Sequence, residues 1–289
     1  MWLAGAVSLT GIVVAAVCLA IPALGSTSAP DGPVVALGDS YTAGALLPLS
    51  LAASPLGCLR SAKAYPVLVA AALHAPLTDA ACSSAGVADL TGPQTTLPHL
   101  GTNPAQLSAL APNDSLVLLT LGGDDIGFAN VLEECMKLSF TDPWGSPCKS
   151  HYTRGGTDQL AALIQAEGPK MATALQEIAA DAPQARVVLV GYPDLFPQSG
   201  GCWPRVPITG GDVTYLRGLE LQLNAMLATD AAADGATFVN TYTPTIGHDF
   251  CQSASVRDVE GLIPTSFALP FHPNARGQAA IAATVLKAL

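Results

Sequence analysis

The sequence predicts a three-layer α/β/α sandwich with a parallel sheet, and two observations support this fold class. Short apolar runs rich in β-branched residues alternate with longer segments of helical period, as in a parallel sheet covered by helices. The apolar runs do not alternate polar with apolar residues, so both faces of each strand should be buried. The predicted strands span residues 33–38, 115–122, 185–192 and 236–242, and the predicted helices span 63–74, 157–181, 212–233 and 274–288.

Each element follows from its own pattern. The strand segments read PVVALG, SLVLLTLG, ARVVLVGY and ATFVNTY in chain order. The last helix has Ile281, Val285 and Leu289 four residues apart, which places them on one helical face. Long, disulfide-tied loops are expected where Gly, Pro and Cys are frequent, at residues 43–60, 135–156 and 195–211. No repeat or linker is evident, so residues 30–289 are predicted to form one domain.

Residues 1–29 precede this domain and carry no charge. An apolar run followed by small residues is typical of an export signal, although the usual basic residues are missing. The run is also long enough to span a bilayer, so a retained anchor is the alternative. Both interpretations place the domain outside the cytoplasm, either secreted or attached to the membrane at the cell surface.

The net negative charge argues against one class of binding partner. The net charge is −10 at pH 7 and the chain has no run of basic residues. A polyanion would be repelled, which argues against nucleic acid as a partner. The sequence does not indicate an oligomeric state.

Seven cysteines are present, and one of them, Cys18, lies in the leader. The others are Cys58, Cys82, Cys135, Cys148, Cys202 and Cys251. An even number behind an export signal favours three disulfides, for which six cysteines allow fifteen pairings. A metal site is the competing interpretation, but no CxxC spacing or Cys/His cluster supports it.

The first predicted strand ends in ALGDSYTAG, which places Ser40 on the turn that leaves the sheet. Ligands of such sheets bind at the carboxyl ends of the strands. An Asp-Ser pair at this place can also be an ordinary helix cap, and the motif lacks the G-x-S-x-G pattern of a nucleophile elbow.

Two further segments favour a catalytic role for Ser40 over an ordinary helix cap. FHPNARGQAAIA places His272 just before the last helix, and LGGDDIGF follows the second predicted strand. A serine needs a nearby base to take its proton and donors to hold the oxyanion that follows its attack. These three segments together resemble the SGNH (GDSL-type) hydrolase family, especially its secreted actinobacterial esterases and lipases.

The resemblance implies an SGNH, flavodoxin-like fold without a cofactor. Ser40 would attack an acyl ester, from a small molecule or a lipid, and His272 would be the general base. Many members carry Asp three residues before the histidine, where this chain has Leu269. The Leu269 carbonyl is therefore expected to accept a hydrogen bond from His272 Nδ1, which gives a Ser-His dyad. The resemblance also favours sequential disulfides, namely Cys58–Cys82, Cys135–Cys148 and Cys202–Cys251.

In this family backbone amides of the nucleophile and of a glycine help to bind the oxyanion. That glycine follows Cys-Ser, and here Ser84 follows Cys82-Ser83. Ser84 is therefore the expected second donor, unless a longer loop gives the role to Gly86. A backbone N–H is present at either residue, so the replacement of glycine by serine matters little unless the position needs a positive φ.

The third donor in the family is the Asn of Gly-Gly-Asn-Asp, and here Asp124 takes that place. An ionised carboxylate cannot donate a hydrogen bond and would repel an oxyanion. Asp124 could be held protonated and donate, it could turn away, or the protein could bind acylated ligands without turnover. The first hypothesis is preferred. Asp125 and Asp39 are interpreted as braces, and a catalytic metal at the paired aspartates is disfavoured.

The sequence thus predicts an exported serine ester hydrolase. The alternatives are an acyltransferase that uses the same serine and a non-catalytic surface binding protein. The remaining histidines are interpreted as structural, with His74 at a helix end and His99, His151 and His248 in loops.

Overall fold

The computed structural model describes residues 1–2, 30–48, 55–96 and 100–289. The interpretations of the leader, of Cys18 and of His99 therefore lie outside the described residues. Within those ranges, no helix has the length and apolar character that crossing a membrane requires.

A five-stranded parallel sheet forms the centre of the domain. Its strands are β1 (Val34–Gly38), β2 (Leu77–Asp79), β3 (Leu116–Thr120), β4 (Arg186–Val190) and β5 (Thr237–Val239), in the spatial order β2-β1-β3-β4-β5. All four neighbouring pairs are parallel. The four predicted strands are confirmed, each within a few residues of its predicted bounds. Gln94–Thr95 and Thr102–Asn103 form a separate antiparallel pair.

The strand β2 was not predicted. It has three residues, only one of which is a large apolar residue, and it pairs with β1 alone at the edge of the sheet. An edge strand needs less apolar character than a central one, so its sequence is not distinctive.

Nine α-helices accompany the sheet in the described ranges. They are α1 (Ser40–Ala43), α2 (Tyr65–Ala72), α3 (Ala88–Thr91), α4 (Phe128–Ser139), α5 (Pro147–Tyr152), α6 (Gln159–Asp181), α7 (Gly210–Ala233), α8 (Tyr242–Thr245) and α9 (Ala275–Ala288). The four predicted helices are confirmed as α2, α6, α7 and α9.

The loop predicted at residues 135–156 is wrong in part, because the end of α4 and all of α5 lie there. Val131, Leu132 and Cys135 give α4 a buried face, and Pro147 begins α5 at a position that suits proline. His151 accordingly lies in α5 and not in a loop. Because Gly, Pro and Cys are frequent here and the apolar faces of the two helices are short, the sequence pattern predicted a loop instead of these helices.

The two faces of the sheet carry separate layers of core. Alternate residues of the strands point to opposite faces, as the pleat requires. Val35, Leu37, Val117, Leu119 and Leu189 pack with residues of α4, α6 and α7. Val34, Leu116, Leu118, Val188 and Val190 pack with residues of α2 and α9. The three-layer fold class is therefore confirmed.

Three disulfides join loops and helices outside the sheet. They are Cys58–Cys82, Cys135–Cys148 and Cys202–Cys251, the pairs that the resemblance implied. The first holds the segment that carries Ser83 and Ser84 against the segment after α1.

Candidate active site

Ser40 lies just beyond the carboxyl end of β1. Parallel α/β proteins bind their ligands at this edge of the sheet. The turn into α1 depends on Gly38, whose φ is +121°. A Cβ at this position would lie 2.2 Å from the carbonyl oxygen of Thr120, so only glycine fits there. Asp39 then caps α1 by accepting a hydrogen bond from the Tyr41 N–H. Ser40, as the first residue of the helix, is left with an amide that has no intrahelical acceptor.

His272 meets this serine from the other end of the chain. Its Nε2 lies 2.7 Å from Ser40 Oγ, across a sequence separation of 232 residues. The histidine lies two residues before the cap of α9, where Asn274 accepts hydrogen bonds from the N–H groups of Arg276 and Gly277. The Asn274 side chain also donates to a carboxylate oxygen of Glu260. The helix cap therefore fixes the backbone on which the imidazole is carried.

The carbonyl that accepts a hydrogen bond from His272 Nδ1 belongs to Pro270, at 2.8 Å. The expectation that Leu269 takes this part was wrong by one residue. The Leu269 carbonyl accepts the backbone N–H of His272 instead and so closes a turn. Phe271, with a φ of +62°, is the residue that turns the Pro270 carbonyl toward the ring. No carboxylate is needed to orient the imidazole, because the carbonyl fixes its tautomer.

Burial lowers the pKa of His272 to about 4, against a smaller opposing effect of the Pro270 hydrogen bond. The aromatic ring of Tyr41 lies beside the imidazole, with ring centroids 4.7 Å apart. The Tyr41 hydroxyl donates to the Phe271 carbonyl and ties this ring to the histidine loop. The imidazole is therefore neutral over most of the pH range, which is the state that can accept a proton from Ser40.

Ser84 also lines the pocket around Ser40. Its φ is +64°, so the position does need the left-handed conformation in which glycine is favoured. Within the described part of the chain, its N–H has no acceptor. The N–H of Gly86 donates to Asp89 Oδ2 at 2.9 Å and is already engaged. The geometry therefore favours Ser84 over Gly86 as an anion donor.

Asp124 lines the same pocket. Burial, together with the negative charges of Asp125 and Asp89, raises its pKa to about 6. Asp125 points elsewhere and accepts the Val87 N–H with both oxygens, at 2.9 and 3.1 Å. The interpretation of Asp125 as a brace is confirmed, and its contact joins the Gly-Gly-Asp-Asp turn to the segment that follows Ser84.

A buried tyrosine that the sequence analysis did not single out contacts both the turn that carries Ser40 and the turn that carries Asp124. Tyr192 lies two residues after the end of β4, donates its hydroxyl to Asp39 Oδ2 at 2.6 Å and accepts the Gly123 N–H at 2.8 Å. Burial, and next the charge of Asp124, raise the pKa of Asp39 well above its usual value. Asp39 is thus a brace, as predicted. The position of Tyr192 at the carboxyl end of a central strand was the signal that could have identified it.

An apolar pocket opens at these residues and has a volume of about 160 Å³. Its polar rim contains Ser40, Ser84, Asp124 and His272. Its walls come from the turn before α4 and from α4, α6 and α7, and include Ile126, Val131, Leu160, Ile164, Leu216, Leu219 and Leu223. A pocket of this composition suits a hydrocarbon chain whose reacting group lies at the rim.

Across the ranges that the structure describes, no group of three or more His, Cys, Asp or Glu side chains could hold a metal ion. Outside the site, His248 Nδ1 lies 2.7 Å from the Val256 carbonyl oxygen, a contact that suits a structural role. His74 follows α2 with a φ of +55°.

The fold and the site together define a three-layer α/β/α protein with a hydroxyl–imidazole pair at the carboxyl edge of its parallel sheet. Comparison with known proteins specifies the family. The model of the GDSL-like lipase/acylhydrolase family matches residues 36–280. The chain belongs to this family, also called SGNH hydrolases, and is an ester hydrolase of the lipase/esterase type.

Relatives and solved structures agree with this assignment. Lipase 2 of Streptomyces coelicolor is 37% identical over 254 residues, which cover 86% of this chain and 83% of that protein. The crystal structure of phospholipase A1 from Streptomyces albidoflavus superposes with a TM-score of 0.72 at 29% identity, over 90% of this chain and 99% of that one. The extracellular lipase of Streptomyces rimosus also gives 0.72, at 26% identity, over 89% of this chain and all of that one.

Proposed function

We propose that this protein is an exported serine ester hydrolase that cleaves acyl esters with a Ser40–His272 dyad. The observation that carries the proposal is the 2.7 Å contact between Ser40 Oγ and His272 Nε2 at the mouth of the apolar pocket. His272 removes the proton as Ser40 attacks the ester carbonyl, and then returns it to the leaving alcohol. Water repeats the sequence on the acyl-enzyme and releases the acid.

The oxyanion of each tetrahedral intermediate is stabilised by the N–H groups of Ser40 and Ser84 and by a protonated Asp124. The two amides are unengaged in the described residues, and Asp124 lies on the same rim. A carboxyl whose pKa is already about 6 gains further proton affinity when a negative charge forms beside it. Asp124 can then donate a hydrogen bond in the transition state, where the family's Asn would donate an amide.

The substrate class follows from the pocket walls and from the relatives. The walls are formed largely by leucine and isoleucine side chains, which match an acyl chain. The similar proteins include lipases, an esterase from Streptomyces scabiei and a phospholipase A1. Export is supported by the three disulfides, which suit an oxidising compartment, and by the extracellular lipase among the similar structures.

Labelling with a fluorophosphonate, followed by hydrolysis of p-nitrophenyl esters of graded chain length, tests the proposal. The wild-type protein should be labelled at Ser40 and should hydrolyse the esters. Ser40→Ala should lose both properties, and Ser253→Ala, at an exposed serine, should keep both. Labelling without hydrolysis, or an acyl-enzyme that an added alcohol captures far faster than water does, would replace hydrolysis by acyl transfer. If the folded protein is not labelled, the proposal is wrong and the non-catalytic binding protein is the remaining interpretation.

A further inference from the structure

Glu220 places a carboxyl group in the wall of the acyl pocket. It lies in the middle of α7, and only 4% of its surface is exposed. The apolar residues Leu216, Leu219 and Leu223 line the pocket from the same helical face. A fully apolar wall would hold a hydrocarbon chain better, because a buried polar group without a partner is costly. This carboxyl therefore calls for an explanation beyond packing.

The hydrogen bonds of Glu220 are incomplete. Its Oε1 accepts the Leu195 N–H at 3.1 Å, whereas Oε2 is buried and has no hydrogen-bond partner in the described residues. Arg217, the nearest cation in sequence, directs its guanidinium to Gln198 Oε1 instead. One carboxyl oxygen is thus held by the backbone, and the other has no partner, in a side chain that lines the pocket.

The charged groups around Glu220 favour its protonated form. Burial, and next the charge of Asp194, raise the pKa of Glu220 well above its usual value. The Leu195 hydrogen bond and then Arg217 oppose this rise in the pKa, and Asp249 adds to it by a smaller amount. A protonated carboxyl offers one O–H donor and one carbonyl acceptor. That combination matches a neutral oxygen group and not a cation.

We infer that Glu220 is a specificity-determining residue that binds an uncharged oxygen substituent, such as a hydroxyl or keto group, on the acyl chain of the substrate. The inference rests on the proposed function, since it uses the same pocket and the same Ser40. We place the substituent on the acyl part of the substrate because the acyl part remains bound through both chemical steps, while the alcohol leaves after the first. An oxygen placed along the chain completes the hydrogen bonding of Oε2, which a plain chain leaves unmade.

The test compares kcat/KM for pairs of p-nitrophenyl esters of equal length, one plain and one hydroxylated, with the hydroxyl moved stepwise along the chain. The wild-type protein should prefer the hydroxylated ester by about tenfold at one position or two adjacent positions. Glu220→Gln, which keeps a donor and an acceptor, should retain the preference. Glu220→Leu should abolish or reverse it, because the hydroxyl would then be buried without a partner. Glu177→Leu, at an exposed position of α6, is the control and should keep the wild-type ratio.

Two results overturn the inference. One is a wild-type protein that prefers the plain ester at every position, a result that does not require the Leu variant to fold. The other is a preference for an ω-amino acyl ester, which would show an ionised Glu220. Both leave the proposed function intact as long as Ser40-dependent hydrolysis of plain esters is observed, so the two proposals fail separately.

Discussion

The hydroxyl of Tyr192 lies 2.6 Å from Asp39 Oδ2 and joins the end of β4 to the residue directly before Ser40. The same hydroxyl accepts the N–H of Gly123, so one side chain links three strand ends. The turn that carries Ser40 and the turn that carries Asp124 are thereby held in one geometry.

Tyr192→Phe should destabilise the protein by about 1–3 kcal/mol, because the buried Oδ2 of Asp39 and the buried N–H of Gly123 each lose their partner. We also expect kcat/KM to fall by about tenfold or more, since small displacements of reacting groups are costly. Thermal unfolding and ester hydrolysis measure the two effects. Tyr215→Phe is the matched control, because its hydroxyl binds the partly exposed Asp158. Equal losses in both variants would contradict the linking role.

The pH dependence of hydrolysis should show an acidic optimum. His272 must be neutral to accept a proton, so activity rises with pH through its pKa of about 4. Asp124 must be protonated to donate, so activity falls as pH rises through its pKa of about 6. The profile of kcat/KM should therefore be bell-shaped between these values.

Asp124→Asn should keep the acidic limb of that profile and lose the limb near pH 6, because an amide donates at every pH. The variant should then be faster than the wild type at neutral and alkaline pH. A variant with an unchanged profile, no faster at pH 8, would remove Asp124 from the oxyanion site.

Substitution of Ser84 separates its backbone from its side chain. Ser84→Gly and Ser84→Ala should both keep kcat within a few-fold, because each retains the N–H that we assign to the oxyanion. The glycine variant relieves a positive φ that costs a non-glycine residue about 1 kcal/mol. It should unfold at the same temperature or a slightly higher one. A loss of a hundredfold in the alanine variant would assign the function to the hydroxyl instead.

Removal of the cap of α9 should affect activity more than removal of another cap. Asn274→Ala leaves two N–H groups and Oε1 of Glu260 without their Asn274 partner, at a cost of about 1–3 kcal/mol, and loosens the segment that carries Pro273 and His272. Asp158→Ala removes the two cap bonds of α6 and is the matched control. Assays well below both unfolding temperatures should show reduced kcat for the Asn274 variant alone. Equal kcat in both would mean that the histidine loop does not depend on its cap.

The disulfides should stabilise the fold according to the length of chain they close. Cys202–Cys251 spans 49 residues and Cys135–Cys148 spans 13. On loop-closure entropy these separations correspond to about 4 and about 3 kcal/mol. Paired Cys→Ser variants, compared by denaturant unfolding, should follow that order. The reverse order would show that native packing around the bridges outweighs the entropy of the unfolded chain.

The central strands could be predicted from sequence because parallel strands buried on both faces leave a continuous apolar run. The edge strand β2 and the helices α4 and α5 could not, since their apolar segments are short. The resemblance identified Ser40 and His272, which the structure brings together. It did not predict that Pro270 supplies the acceptor, because sequence order does not specify how the turn at Phe271 directs each carbonyl.

Glu220 illustrates a different limit. Its spacing from Leu216 and Leu223 places it on the apolar face of a predicted helix, so the pattern contained a signal that a carboxyl was buried. Whether that face meets core or pocket depends on how α4, α6 and α7 pack, which local sequence does not determine.

Ser40 and His272 are separated by 232 residues in sequence, so their contact can form only late in the synthesis of the chain. The ribosome adds Ser40, the turn that carries it and all five strands of the sheet before it reaches His272. A growing chain that ends before residue 272 therefore holds Ser40 without the imidazole that contacts it in the folded protein.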